Sequence, residues 1–184
     1  AFRMRERKAD TREEFRERLH RSDLVFHADG PDATVAVLER GGDRVLMVNG
    51  KPDASTRGDM VTQVMSAHVP LVLHPAPTRA LVVGLGSGVT VGSALRHPGV
   101  QIDVVEVSQA VADASRYFDA QSGAPLDDPR VTLSVDDIRS ALRRRPDARW
   151  DVIVSEPSNP WVAGNAGLFS VDYFSLLASR LTDG

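Results

Sequence analysis

The feature that most constrains this chain is a continuous apolar run at residues 80–83 (ALVV), followed at once by the glycine-rich stretch 84–88 (GLGSG). An unbroken apolar run is typical of a strand that is buried on both faces of a parallel sheet. Glycines allow positive φ angles and let the backbone approach a ligand closely. The two together predict a central strand, a tight turn and a helix whose first N–H groups face a bound molecule. A turn that binds nothing is the alternative interpretation.

Strands and helices alternate along the rest of the chain. Further apolar runs lie at residues 104–105, 131–133 and 152–154, and helical patterns lie near 88–96, 108–118, 137–144 and 171–181. This alternation is typical of βαβ units, so we expect an α/β fold with a Rossmann-like, methyltransferase-type parallel sheet and helices on both faces. In sheets of this type, further strands normally follow the glycine that comes after a helix such as 171–181. We therefore expect that strands are missing after Gly184.

A small antiparallel sheet is predicted ahead of this region, over residues 23–57. Three short β-type runs, at residues 24–26, 34–38 and 44–48, are separated by turn residues. We expect the sheet to end at residues 49–52, where an Asn-Gly pair is followed by a proline.

Two further segments complete the predicted organisation. Residues 1–22 are dense in Arg and Glu, with Phe15 and Leu19 four positions apart, which predicts a charged connector helix. Residues 58–184 are predicted to form the Rossmann-like domain, which opens with a helix over residues 60–68.

Composition argues against several functions. The formal net charge of −3 gives no reason to expect a nucleic-acid partner. The absence of cysteine excludes thiolate zinc sites and cysteine nucleophiles, and the five histidines lack the spacing of metal ligands, so we expect no metal. The sequence has no apolar run of about 18 residues or more, so we expect no membrane span within it.

Acidic residues follow three of the predicted strands. Glu106 ends the second strand, about 20 residues after the glycine-rich stretch, where a carboxylate can bind the hydroxyls of a ribose. Asp136 and Asp137 follow the third, where one acid could accept a hydrogen bond from adenine while the other caps the next helix. Glu156 follows the fourth. We expect these acids to share the crevice at the strands' carboxyl ends, although a solvated acid at Glu106 and a structural loop over residues 156–161 are alternatives.

Taken in order, these motifs resemble those of the polyamine aminopropyltransferases, the spermidine and spermine synthases. Residues 68–77 (HVPLVLHPAP) are similar to that family's H-x-P-L…HP-x-P run, residues 105–108 (VEVS) to its V-E-I-D, and residues 151–160 (DVIVSEPSNP) to its D-V-I-I-x-D-S-S-D-P. The likeness covers roughly residues 24–184. The run at 155–164 (SEPSNPWVAG) also resembles a bacterial branch in which this domain is fused to membrane segments.

The resemblance implies a role for each candidate residue. Glu106 would bind the ribose hydroxyls of an adenosyl nucleoside, with Asp136 and Asp137 on its adenine side. Glu156 occupies the position of the family's catalytic aspartate, which helps to deprotonate the attacking amine. The residues that would line the sulfonium end of the nucleoside are Gly84, Gly86, Ser87 and Gly88. The candidates for binding the acceptor are Gln63, Asp59 and Asn159.

The chain departs from the family's pattern where charge matters most. Neutral residues replace acids of that pattern at three positions, and a threonine replaces its tyrosine at a fourth: Ser87, Ser108, Asn159 and Thr62. Polyamines and decarboxylated S-adenosylmethionine carry ammonium groups, and burying an unpaired charge costs several kcal/mol. The acids that remain as replacements are Asp53, Asp59 and Glu156.

Three functions remain open at this point. The first is aminopropyl transfer from decarboxylated S-adenosylmethionine to a small-molecule amine, with Glu156 as general base. The second is an S-adenosylmethionine-dependent methyltransferase, since Ser87 would tolerate the carboxylate of that donor. The third is a non-catalytic nucleoside-binding module of a membrane protein. By resemblance we also expect a homodimer and a cytoplasmic location, as part of a parent chain that is fused to membrane segments.

Overall fold

The computed structural model describes residues 22–157 and 166–182, which form two four-stranded sheets with helices. The predicted connector helix lies outside this part of the chain except for its last residue, and so does Asn159. Within the described ranges, no helix combines the length and the apolar character that crossing a bilayer requires.

The first sheet is antiparallel, with its strands in the order β1-β2-β3-β4. The strands are β1 (Asp23–Asp29), β2 (Thr34–Arg40), β3 (Asp43–Val48) and β4 (Lys51–Ser55). The prediction that the sheet ends at residues 49–52 was wrong. Asn49 and Gly50 adopt positive φ angles of 50° and 74° and form the tight turn of a hairpin, which leads directly into a fourth strand.

The pairing of β3 with β4 contains a β-bulge. Leu46 lies opposite Ala54, whereas the next residue, Met47, lies opposite Pro52. Asp53 is therefore the extra residue of β4 at this point, and a bulge of this kind changes the direction in which a side chain points.

The second sheet is parallel, with its strands in the order β7-β6-β5-β8, which confirms the predicted fold class. The strands are β5 (Arg79–Val83), β6 (Gln101–Glu106), β7 (Val131–Val135) and β8 (Val152–Ser155). The chain adds β6 and β7 on one side of β5 and then crosses to place β8 on the other. Such a reversal opens a crevice at the carboxyl ends of the strands, where α/β sheets bind ligands.

Six α-helices accompany these sheets in the described residues. They are α1 (Met60–Leu73), α2 (Val89–Ala94), α3 (Gln109–Ser115), α4 (Asp119–Ser122), α5 (Ile138–Arg144) and α6 (Val171–Ala178), with 3₁₀ turns at Arg116–Phe118, Pro125–Asp127 and Ala166–Phe169. The predicted end of the first helix at residue 68 was wrong, because α1 continues through Pro70. Ala67 and Leu71 are buried in the core, and this packing outweighs the backbone hydrogen bond that proline cannot make.

Apolar clusters fill both faces of the parallel sheet. One contains buried residues of α1 and α2, and the other contains residues of α5 and α6. A third joins the antiparallel sheet to α3, where Val35, Val37 and Leu46 cluster with Val111 and Phe118. The antiparallel sheet is therefore attached to the parallel sheet through α3, the helix that follows β6. Ala54 of β4 belongs to the same cluster, which holds β4 against this helix.

Asp103 in β6 ties the parallel sheet to the segment before β8. Its buried carboxylate accepts hydrogen bonds from Trp150 Nε1 at 2.7 Å, Arg79 Nη2 at 2.9 Å and Arg145 Nη1 at 2.9 Å. Burial alone would raise the pKa of Asp103, but the bonds from Arg145, Trp150 and Arg79 hold it below its ordinary value.

Asp103→Ala should lower the free energy of unfolding by about 2 kcal/mol, because it leaves the buried indole N–H of Trp150 without its acceptor. Urea denaturation followed by circular dichroism measures this loss. Asp113→Ala, on the exposed face of α3, is the control and should change stability by less than about 0.5 kcal/mol. Equal effects of the two substitutions would contradict the structural role of Asp103.

Candidate functional site

A cavity of about 520 Å³ lies at the carboxyl ends of the parallel strands. The ends of β5 and β6 form part of its wall, together with the segments that follow β7 and β8. The antiparallel sheet contributes β4, and α1 contributes its first turn. A volume of this size suits a ligand as large as a nucleoside.

The glycine turn between β5 and α2 leaves the cavity open. Gly84, Gly86 and Gly88 all have positive φ angles, of 90°, 53° and 78°. A Cβ at Gly86 would meet no atom within 4 Å, so no side chain plugs the turn there. Gly84, Gly86 and Ser87 line the cavity, whereas Gly88 is the N-cap of α2 and faces Pro125 instead.

Glu106, at the end of β6, is 7% exposed and lines the cavity beside this turn. Its Oε2 accepts a hydrogen bond from the Leu85 N–H at 2.9 Å, and its Oε1 accepts one from the Ser108 N–H at 3.0 Å. Burial raises the pKa of Glu106, while the two amide bonds oppose that rise. Because each carboxylate oxygen has two acceptor positions, the group can also accept from the hydroxyls of a ligand.

Asp136 and Asp137 both line the cavity but have different surroundings. Asp137 is the N-cap of α5 and accepts a hydrogen bond from the Ser140 N–H at 2.9 Å. The carboxylate of Asp136 contacts the guanidinium of Arg144, at the far end of the same helix. Of the two acids, the one that caps the helix is thus Asp137, and the adenine-side role of Asp136 stays a prediction.

Gln63 joins the glycine turn to the antiparallel sheet. Its buried side-chain amide accepts a hydrogen bond from the Ser87 hydroxyl through Oε1 and donates one to the Ser55 carbonyl through Nε2, at 3.1 Å. Asp59 accepts from the Ser55 N–H at 2.9 Å and from its hydroxyl at 2.6 Å. Both predicted acceptor-binding residues therefore lie at the cavity, where they also hold its walls together.

Glu156 follows β8 and opens onto the same cavity. The Thr90 hydroxyl, in α2, donates to Glu156 Oε2 at 3.4 Å. Partial burial raises the pKa of Glu156, and the negative charges of Asp59 and Asp53 raise it further. A carboxylate with a raised pKa is a better acceptor for a proton near neutral pH than an ordinary surface glutamate.

The described residues that line the cavity give it a strongly acidic character. Seven of them are carboxylates, and none is Lys, Arg or His: Asp32, Asp53, Asp59, Glu106, Asp136, Asp137 and Glu156. Sequence analysis missed Asp32, because an Asp within a Gly-Pro-Asp turn carries no signal beyond that of the turn itself. An arrangement of this kind favours a cationic ligand.

The model of the spermine/spermidine synthase domain family matches residues 59–184. The chain belongs to this family. A spermidine synthase of Dictyostelium discoideum is 36% identical over 141 residues, which are 76% of this chain and 49% of that protein. A putrescine N-methyltransferase of Nicotiana tabacum is 32% identical over 163 residues, 88% of this chain and 43% of that one. The chain thus spans about half the length of the curated relatives it matches.

Solved structures of spermidine synthases have the same fold. One, in complex with the transition-state analogue AdoDATO, gives a TM-score of 0.78 at 24% identity and covers 86% of this chain and 55% of that one. Another, from Thermotoga maritima, gives 0.75 at 24% identity, with coverage of 87% and 54%. The predicted family and its fold are confirmed, whereas the membrane-fused branch and the homodimer stay predictions.

Proposed function

We propose that this member of the spermine/spermidine synthase family is the donor-binding part of an aminopropyltransferase. The observation that carries the proposal is the acidic cavity, with its bare glycine turn and the buried Glu106 at one edge. Decarboxylated S-adenosylmethionine combines a nucleoside with a sulfonium and a primary ammonium. A cavity without a basic side chain among its described lining residues is complementary to both positive charges.

The nucleoside would lie along the ends of β5, β6 and β7. Glu106 would accept hydrogen bonds from the two ribose hydroxyls while its amide bonds hold it in place. Gly84 and Gly86 would allow the sulfur end to approach the backbone, and Asp136 would accept from the adenine amine. The arrangement follows from three parallel strands whose carboxyl ends meet at one edge of the sheet.

The transfer itself is a displacement at carbon. The amine nitrogen attacks the propyl carbon bonded to sulfur, the C–S bond breaks, and its electron pair stays on sulfur to give neutral methylthioadenosine. The proton released from the amine passes to Glu156. Holding the amine and the carbon in line supplies much of the rate, and the base adds about 10²–10⁴-fold.

Methyl transfer from intact S-adenosylmethionine is the second candidate. It is favoured by the neutral Ser87 in the glycine turn and by the similarity to the Nicotiana tabacum putrescine N-methyltransferase. The donor's own carboxylate, however, would enter a cavity that already holds seven. This repulsion places methyl transfer behind aminopropyl transfer. Product analysis decides between them, because methyl transfer releases S-adenosylhomocysteine whereas aminopropyl transfer releases methylthioadenosine.

Glu106→Gln tests the nucleoside half of the proposal. Methylthioadenosine should bind the unaltered protein and bind the variant about 10–100-fold more weakly, because a glutamine NH₂ would oppose the N–H of Leu85 or of Ser108. Isothermal titration calorimetry measures both affinities, and a thermal melt checks that the variant is folded. Asp113→Asn, which removes an exposed charge, is the control. Failure of the unaltered protein to bind methylthioadenosine would refute the proposed function.

A further inference from the structure

Asp53 lies in the wall of the cavity, at the bulge in β4. Its neighbours Pro52 and Ala54 line the cavity as well. Asp53 is the extra residue that the bulge inserts into β4, and bulges are common beside functional sites.

Asp53 lies within electrostatic reach of both ends of the cavity. Its charge raises the pKa of Glu106, on the nucleoside side, and also that of Glu156, on the amine side, in each case less than burial does. Asp53 is thus a carboxylate of the cavity wall whose charge acts on both of these acids.

The glycine turn supplies no charge at this point. Ser87 is neutral, and its hydroxyl already donates to Gln63 Oε1. A cationic group on the tail of the donor would therefore form an ion pair with a carboxylate of β4 and not with a residue of the turn. Asp53 is also largely exposed to the cavity, so it can reach a ligand without first moving out of the core.

We propose that Asp53 determines donor specificity: it pairs with the ammonium tail of a decarboxylated sulfonium donor and repels a donor that retains its carboxylate. This inference rests on the proposed function. In this proposal the acid that recognises the donor's tail lies on the bulged strand β4 and not in the glycine turn. The antiparallel sheet therefore contributes to donor specificity.

Asp53→Asn tests the inference through three ligands that share the nucleoside and differ in the tail. Calorimetry at low salt would compare decarboxylated S-adenosylmethionine, S-adenosylmethionine and methylthioadenosine. The variant should bind the decarboxylated donor about tenfold more weakly or worse, and methylthioadenosine within about twofold of the unaltered protein. Its preference for the decarboxylated over the carboxylated donor should shrink. Asp23→Asn, which removes a charge from β1 of the same sheet, is the matched control and should leave that preference intact.

Each outcome separates the two proposals. If the unaltered protein binds none of the three ligands, both the proposed function and the role of Asp53 fail. If it binds methylthioadenosine but Asp53→Asn keeps the full preference between donors, only the role of Asp53 fails. A uniform loss for all three ligands would mean that Asp53 supports the shape of the cavity and does not read the tail. Asp53→Glu, which keeps the charge, should retain at least part of the preference.

Discussion

Glu156→Gln is expected to lower the turnover of an amine substrate by about 100-fold or more while leaving the affinity for the donor near that of the unaltered protein. Glutamine has the same shape and can still accept the hydrogen bond from Thr90, but it cannot take up a proton. Steady-state kinetics with a saturating donor, together with calorimetric titration of the donor, separates the two effects.

The pH profile gives the same prediction a second readout. The active form of Glu156 is the carboxylate, so kcat/KM should fall as the pH drops through the pKa of this group. That pKa is raised by burial and by the charges of Asp59 and Asp53, so the acid limb should lie above the ordinary range of a glutamate. Glu156→Gln should lack this limb.

Asp32→Asn provides the control, since it removes one negative charge from the same cavity. If the charge alone mattered, the two variants would behave alike. We expect the loss at Asp32 to stay below about tenfold, because an amide cannot replace a base but can replace a distant charge. Unchanged turnover in Glu156→Gln would remove Glu156 from the mechanism.

Gly92→Ala is expected to reduce the free energy of unfolding by about 3 kcal/mol or more. In the interior of a helix such as α2, replacing glycine by alanine normally stabilises a protein by about 0.5–1 kcal/mol. Here the added Cβ would lie 1.8 Å from the Ser122 carbonyl oxygen and 2.9 Å from its carbon. Both atoms belong to the backbone of α4, so the two helices would have to separate.

Urea denaturation measures the loss, and Gly167→Ala is the matched control. A Cβ at Gly167 would lie 3.6 Å from a guanidinium nitrogen of Arg139, an ordinary contact with the flexible end of a side chain. That substitution should change stability by less than about 1 kcal/mol. Stability of Gly92→Ala equal to that of the unaltered protein would show that α2 and α4 are not as close as the structure places them.

The parallel sheet was predictable from the sequence because β5 and β8 contain unbroken apolar runs and because strands and helices alternate along this part of the chain. The fourth strand of the antiparallel sheet was not, since only Ala54 of β4 is buried and a proline interrupts the pattern. The extent of α1 was missed for a related reason. Pro70 normally ends a helix, and only the packing of Leu71 against the core reveals that it does not.

The candidate site, like the fold, could be predicted from the sequence only in part. Glu106 and Glu156 could be predicted from position alone, because acids that follow parallel strands meet at one edge of a sheet. The bulge at Asp53 depends on how β4 pairs with β3, and no pattern within β4 itself predicts that pairing. The two hydrogen bonds of Gln63 likewise depend on residues 24 and 8 positions away in the sequence.

The bridge made by Gln63 constrains how this protein could have diverged from its relatives. Its amide presents the oxygen to Ser87 and the nitrogen to the Ser55 carbonyl. An aspartate at position 87, where the family's pattern has an acid, would set one acceptor against another, and turning the amide over would only move the conflict to the Ser55 carbonyl. The acceptor at position 55 is a backbone carbonyl, which any residue there would carry. An acid at position 87 could therefore be accommodated only if position 63 changed with it over evolutionary time.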